Sequence, residues 1–313
     1  MPAEFYAVPV FARGTGLGNR LFQWARCRSW SYEHGATLIS PRWLRLGLGP
    51  LLRRTVRLDQ LPGRIALMGQ FVAHPDDLSW AQALPLRFCC HSSHERCDPR
   101  WLDPQQMRNA PGGLLRLFDG RDDSFTRLNR HQRRLRADFE QIIAPRHRQR
   151  VERLAIAPIG LNIRLGNDFA PPPTTGGYGW VGWLQQTPLS WFVETLLLIR
   201  ERAGWPVPAV VVSDGTATQL EPLLALPAVT WLARSNAVVD LLCLSRTRLL
   251  LGSGSSSFSA WAAFLGQQAA FTAPGHPFTR LDLQPLQGQA IGGFDPTSPD
   301  PQALAQMVNS VCA

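Results

Sequence analysis

The chain has no lysine: all 32 of its basic residues are arginine. Against 23 acidic residues they give a formal net charge of +9. A guanidinium grips phosphate through two parallel hydrogen bonds, where an ammonium is a single point of charge. An arginine-only positive field therefore suits an anionic ligand, nucleic acid or an anionic membrane face. A GC-rich genome would leave the same composition, and both readings stand. No run of eighteen apolar residues occurs, so no segment has the length and apolarity of a membrane-spanning helix. Met1–Val10 lacks a charged-then-apolar leader, and the expected location is cytoplasmic, with peripheral contact at the inner membrane as the variant a basic face allows. The six cysteines of the 313 residues form no paired C-x-x-C framework. No paired-carboxylate pattern suits Mg²⁺ or Mn²⁺. What is present, 45% hydrophobic and 18% charged residues, describes a globular protein with room for two domains.

The most informative stretch is Gly252–Gly266, Gly-Ser-Gly-Ser-Ser-Ser-Phe-Ser-Ala-Trp-Ala-Ala-Phe-Leu-Gly. The apolar run Leu249–Leu251 precedes it as a buried strand, and Ala260, Trp261, Ala263 and Phe264 recur after it at helical spacing. Strand, Gly/Ser loop and helix together aim backbone N–H groups and a positive helix end at an anion. The plainer reading is a serine N-cap on a core helix, although three serines and two glycines exceed what a cap requires.

Phe5–Ala12 reads as a first strand despite Pro9, followed by the loop Arg13–Arg20 and a helix to about His34. This loop is not the dinucleotide fingerprint, because Asn19 stands where the third glycine belongs. Its Gly-Asn-Arg helix start offers an amide and a guanidinium to whatever lies over it. Ala36–Ser40 suits a strand, and residues 41–120 are poorly patterned. Within them, the Cys/His-dense Cys89–Cys97 run suggests zinc or, alternatively, thiols and polar loop residues of a reducing compartment. Arg127–Leu154 is strongly basic, with Leu135, Phe139, Ile142 and Ile143 on the opposite helical face. Its arginines form a solvated face or a contact with an anionic membrane or acceptor. Pro145 marks the expected junction between domains 1–150 and 151–313.

Beyond it strands and helices alternate: Ile156–Ile163, Leu189–Arg202, Ala209–Val212, Thr216–Ala225, Val229–Leu232 and Asn236–Ser245. Such alternation predicts an α/β, doubly wound parallel sheet that binds ligands at its carboxyl edge. Arg164, Asp214 and Ser255–Ser257 each follow a strand and are expected on one rim.

Four blocks carry a resemblance: Gly16-Leu17-Gly18-Asn19-Arg20-Leu21-Phe22-Gln23, Asn162-Ile163-Arg164-Leu165-Gly166-Asn167-Asp168-Phe169, Val211-Val212-Ser213-Asp214, and Gly252–Trp261. Asp240–Ser245 adds a fifth match. Their order and spacing resemble the fucosyltransferase superfamily, most closely the bacterial α-1,2-fucosyltransferases of glycosyltransferase family 11. The resemblance implies a GT-B fold: two Rossmann-like doubly wound domains facing a central cleft, an acceptor-side first domain and a GDP-binding second. It implies GDP-fucose as the donor substrate, a glycan hydroxyl as acceptor, inversion at the anomeric carbon, and neither a metal nor a separate cofactor. On it, Arg164 binds the diphosphate and stabilises departing GDP, with Asp168 its catalytic companion. Ser255, Ser256, Ser257 and Phe258 supply the donor loop, Asp214 helps to hold the nucleoside, and Gly18 and Asn19 reach the diphosphate from the first domain. Nucleic acid is not an expected partner. Two departures fall on the acceptor side: Asn162 replaces the family histidine, and Asn167 adds a residue before Asp168.

The same fold with another donor, such as GDP-rhamnose or a pyruvyl-type transfer, is the second enzyme reading. A nucleotide- or glycan-binding protein without turnover is the third, and Asn162 is the feature that invites it. A Rossmann oxidoreductase fits poorly, for want of the third glycine and of an acidic residue at a clear second-strand end.

Overall fold

The computed structural model describes residues 5–11, 15–41, 43, 67, 69–94, 113–120, 124–166, 169–171, 178, 185–233, 235–275 and 278–312. Contacts divide the chain into two compact units, Met1–His147 and Arg148–Ala313. Pro145 opens a helix that runs across this division, Pro145–Glu152.

The first unit is built on strands β1 (Phe5–Pro9), β2 (Thr37–Leu38), β3 (His91–His94) and β4 (Leu114–Phe118), with helix α1 (Leu17–His34) after β1. All pair in parallel, in the order β2-β1-β4-β3. Pro9 is tolerated because it ends its strand. The strand β3 arises inside the stretch whose sequence shows no pattern; its residues are His-Ser-Ser-His and mostly exposed, so no apolar alternation announces it. Helix α1 ends at Gly35, whose φ of 62° is the left-handed cap geometry glycine adopts freely. The short α2 (Leu86–Cys89) precedes β3, and α3 (Gln132–Ile142) leads into α4 (Pro145–Glu152).

Helix α3 buries Leu135, Phe139 and Ile142, and Ile143 follows them into the core. Part of the basic stretch is spent inside the unit: Arg130, just before α3, pairs with Glu33 of α1, and the Arg134 guanidinium of α3 lies 3.7 Å from the Tyr32 ring centroid. Behind them Arg28 is buried between two carboxylates, 2.6 Å from Asp77 and 3.2 Å from Asp138. Tyr32 donates to Asp138 at 2.6 Å, and His74 lies 3.6 Å from the same carboxylate. Burial pushes the Asp77 carboxyl up to about 6, although Arg28 pulls it the other way.

The second unit is one six-stranded parallel sheet. Its elements are β5 (Ile159–Ile163), α5 (Leu189–Ala203), β6 (Ala209–Ser213), α6 (Ala217–Leu224), β7 (Val229–Trp231), α7 (Ala237–Ser245), β8 (Leu249–Gly252), α8 (Ser257–Gly266), β9 (Ala269–Thr272), β10 (Ile291–Gly293) and α9 (Pro301–Cys312). The strand order is β10-β9-β8-β5-β6-β7. From β5 the chain steps outward to β6 and β7, then returns to β8 on the other side. This is the Rossmann order, and its reversal falls between β5 and β8. Strands β5 and β8 are buried along their whole length, as a central parallel sheet requires. Side-chain caps start the helices: Thr216 and Gln219 form a capping box on α6, and the Asn236 side chain accepts from Val238 and Val239 on α7. Among the described residues no helix is long and apolar enough to cross a membrane.

Candidate functional site

At a Rossmann reversal point the crevice lies beyond the carboxyl ends of the two diverging strands. Here those strands deliver Arg164, next after β5, and the Ser253–Ser256 loop after β8. Asp214, next after β6, joins them. The Arg164 Nη1 lies 2.7 Å from Asp214 Oδ2, while Asp214 Oδ1 accepts the Leu165 N–H at 2.8 Å. The Arg164 N–H donates to Ser253 Oγ at 2.9 Å, linking the β5 end to the β8 loop. The guanidinium also lies 5.2 Å from the Phe169 ring centroid. The structure thus brings Arg164, Asp214 and the serine loop onto one rim.

The segment carrying Arg164 is fastened from several sides. Ser213 Oγ donates to the Ile163 carbonyl at 2.7 Å, and the Gln186 amide donates to the carbonyls of Leu165 and Phe169 at 3.2 Å each. Gly215 packs closely on this segment: a Cβ there would lie 2.6 Å from Leu165 Cδ1, so the leucine side chain would have to shift to admit one. Asp214 therefore serves as a brace for this turn. Asp168, paired with Arg164 in the catalytic assignment, lies outside the described residues, as does Asn167.

The serine loop resolves into distinct jobs. Ser253 N–H donates to the Asn162 carbonyl at 2.9 Å, and Gly254 N–H donates to Thr187 Oγ1 at 3.1 Å. Ser255 takes a left-handed backbone with φ of 56°. Ser256 is the N-cap of α8, its hydroxyl accepting from Ser259 N–H at 3.3 Å. Ser257 and Phe258 open the helix, and among the described residues their backbone N–H groups have no partner. The cap and the anion-binding loop are thus the same structure: Ser256 fixes the helix start, and the next two N–H groups face outward with the positive helix end.

Asn162, in the position of the family histidine, is 2% exposed and donates to Ser259 Oγ at 2.6 Å. It ties β5 to the first turn of α8. Thr187, Gln186 and Ser259 went unseen in the sequence. Only Ser259 lay inside a recognisable block, and the two residues before Pro188 carry no pattern.

In the first unit Gly18 and Asn19 lie in the first turn of α1, beyond the carboxyl end of β1, which neighbours both β2 and β4. Gly16 caps this helix without a side chain, and a Cβ there would meet nothing within 4 Å. Among the described residues, Leu17, Gly18 and Asn19 have unpartnered N–H groups, and the Asn19 side chain has no hydrogen bond. Arg20, expected over the ligand, turns inward instead. Its Nε donates to the Thr15 carbonyl at 3.0 Å and its Nη1 to the Trp43 carbonyl at 2.7 Å, bracing the loop. The Cys/His run is also dispersed: Cys89 is exposed, Cys90 half-buried, and His94 faces Asp119 at 3.3 Å. Cys97 lies outside the described residues, and among those described no group of three His, Cys, Asp or Glu is gathered for a metal.

No family profile matches the chain, and no curated protein matches it. Solved structures do. NodZ α-1,6-fucosyltransferase co-crystallised with GDP superposes with a TM-score of 0.51 at 16% identity, covering 87% of this chain and 97% of that one. The same enzyme soaked with GDP-fucose gives 0.50 at 16%, over 84% and 92%. Fucosyltransferase NodZ from Bradyrhizobium gives 0.50 at 16%, over 84% and 93%. At this identity the likeness establishes the architecture: an α/β chain with the two Rossmann-like parallel sheets of the GT-B fold.

Proposed function

We propose that the chain is an inverting glycosyltransferase that moves fucose from GDP-fucose onto a glycan hydroxyl without a metal ion. The observation that carries this reading is the position of Arg164: a guanidinium at the Rossmann reversal point, braced by Asp214, beside the outward N–H groups of Ser257 and Phe258. As the bond to the outer phosphate breaks, negative charge grows on that phosphate. Arginine, backbone amides and a helix end together supply what a metal would otherwise supply. The solved structures that share the architecture are of fucosyltransferases with GDP or GDP-fucose, which supports the same donor here.

Gly18 and Asn19 are the first unit's contribution to diphosphate binding on this reading, and Ser255 and Ser256 shape the loop around it. Asp214 contributes through Arg164 as well as toward the nucleoside. The α-1,2 linkage follows from the sequence blocks, whereas the matched NodZ structures are of an α-1,6 enzyme, so the linkage is to be read from the product. Residues 1–150 are the acceptor side and 151–313 the donor side. Action in the cytoplasm, with the exposed arginines of residues 127–154 against an anionic membrane face, completes the proposal.

The deciding experiment is mass spectrometry of nucleotide release from a panel of nucleotide sugars, with GDP binding followed by calorimetry. GDP release from GDP-fucose in preference to GDP-rhamnose is expected. No release from any donor would overturn the transferase reading, and no GDP binding would overturn the donor site.

A further inference from the structure

We propose that Gln186 and Thr187, neighbours on the strap of residues 185–188 that leads into α5, are positioning residues that hold Arg164 and the serine loop in register; this rests on the transferase reading above. The two side chains reach opposite halves of the second unit's rim. Gln186 Nε2 donates to the carbonyls of Leu165 and Phe169 at 3.2 Å each, and its backbone N–H donates to the Ala170 carbonyl at 2.8 Å. Thr187 is 2% exposed, and its Oγ1 accepts the Gly254 N–H at 3.1 Å. The Arg164 N–H closes the circuit by donating to Ser253 Oγ at 2.9 Å. The turn after β5, the strap and the loop after β8 thus form one hydrogen-bonded ring. Its two strap contacts come from adjacent residues, so a single peptide link fixes the spacing between the halves.

The strap is stiff enough for this task. Pro188 holds its own φ at −54° and confines Thr187 before it to extended backbone. Behind it α5 is anchored in the core: Trp191 is fully buried, and its indole N–H donates to the Phe294 carbonyl at 2.8 Å. The loop on the other side depends on being held. Ser255 has a left-handed φ of 56°, which a non-glycine residue keeps only where its surroundings fix it. Thr187 fixes Gly254 on one side of it, and Ser256 on the other side caps α8. The outward N–H groups of Ser257 and Phe258 are aimed by a chain of contacts that begins at Thr187.

A bound diphosphate can turn its own bonds to follow a displaced loop. While the bond to the outer phosphate breaks, however, the guanidinium and the amides must meet the growing charge together. A displacement on the order of 1 Å then costs about 10² in rate. Gln186 and Thr187 act through Arg164 and the loop, without touching the phosphate themselves.

The test measures kcat and KM for GDP release from GDP-fucose in water and with lactose, with urea midpoints as the folding control. Thr187→Val keeps the shape and removes the acceptor; kcat should fall by about 10–10², with KM for GDP-fucose within about threefold of the parent. Thr187→Ser restores the acceptor and should bring kcat back to within about threefold of the parent. Gln186→Met removes both donated bonds at a half-buried position and should lower kcat to a similar extent. It carries the same test where Thr187→Val does not fold. Because both residues act through one ring, the double variant should lose little more than the larger single loss. A parent that turns over while the folded single variants keep kcat within about twofold overturns the strap's role alone. A rise in KM at unchanged kcat overturns it too, as does a Thr187→Ser that falls as far as Thr187→Val. Losses that multiply in the double variant overturn the ring. A parent that releases nothing from any donor overturns the transferase reading and the positioning role with it.

Discussion

Replacing Arg164 is the sharpest perturbation available, because its partner remains behind. In Arg164→Ala the phosphate loses a guanidinium at a site that is only partly open, the Arg164 side chain being 28% exposed. Removing such a donor costs roughly 10²–10³ in rate, or about 3–4 kcal/mol. The substitution also releases Asp214, whose carboxylate then faces the incoming diphosphate uncompensated. For unit charges about 6 Å apart the repulsion is about 0.7 kcal/mol in water-like surroundings and about 3 kcal/mol near a protein surface. The combined expectation is a fall in kcat of about 10³–10⁴ at saturating GDP-fucose. Arg164→Ala with Asp214→Asn should recover about tenfold of that loss, since the repulsion disappears. Arg164→Lys keeps the charge but not the fork and should also be badly impaired. Steady-state GDP release, with circular dichroism as a folding control, measures all of these. If the pair merely held the turn, Arg164→Ala, Asp214→Asn and the double variant would fall equally. A folded Arg164→Ala with kcat within a few-fold of the parent refutes the catalytic role outright.

Turnover should survive EDTA; loss restored by Mn²⁺ would contradict metal-free transfer, and loss restored only by zinc would point to the Cys89–Cys97 run. Asn162→Ala leaves the buried Ser259 hydroxyl without its donor and should cost about 1–3 kcal/mol of stability, read as a lower urea midpoint. A carboxyl raised from 3.8 to about 6, as for Asp77, corresponds to about 3 kcal/mol. The folded chain holds this proton more tightly than the unfolded chain, so the contribution is complete below pH 3.8 and lost as pH rises past about 6. Relative to Asp77→Asn, the parent should therefore lose stability between pH 4 and pH 6.5; urea midpoints that move in parallel would contradict the burial argument.

The second unit was legible in the sequence because its strands are continuous apolar runs and its helices carry recognisable caps. Ala209–Ser213, Leu249–Gly252 and the start of α8 lie within a residue or two of expectation. Their strand ends put Arg164, Asp214 and the serine loop on one rim from pattern alone. The identity of each contact was not legible. Periodicity gives faces and ends, whereas Asn162 meeting Ser259 across 97 residues depends on register between β5 and β8. Arg20 shows the opposite failure: its motif position suggested a ligand contact, and the loop it follows uses the guanidinium for its own carbonyls. The strands β3 and β9 and the helix α9 were missed for different reasons. His91–His94 is polar, Ala269–Thr272 is four residues long, and α9 shows its apolar face only through Leu304, Met307 and Val311.

If Arg164 binds the donor diphosphate as proposed, the Arg164–Asp214 pair sets two opposed effects against each other. A carboxylate beside the phosphate-binding guanidinium weakens anion affinity by an amount comparable to the repulsion estimated above. An unbraced arginine, however, loses up to about 2 kcal/mol of rotamer entropy when a ligand fixes it. Asp214, itself held by the Leu165 N–H, removes that cost before the ligand arrives. The two terms are of similar size, so the pair changes ground-state affinity little. What remains is direction: one edge of the guanidinium is fixed by the carboxylate, and the Arg164 backbone is fixed by Ser253. A donor held in that way interacts more strongly as charge builds on the leaving phosphate, without reorganising to do so. On the proposed transferase reading, a guanidinium held in this way is expected to contribute to kcat more than to ground-state binding.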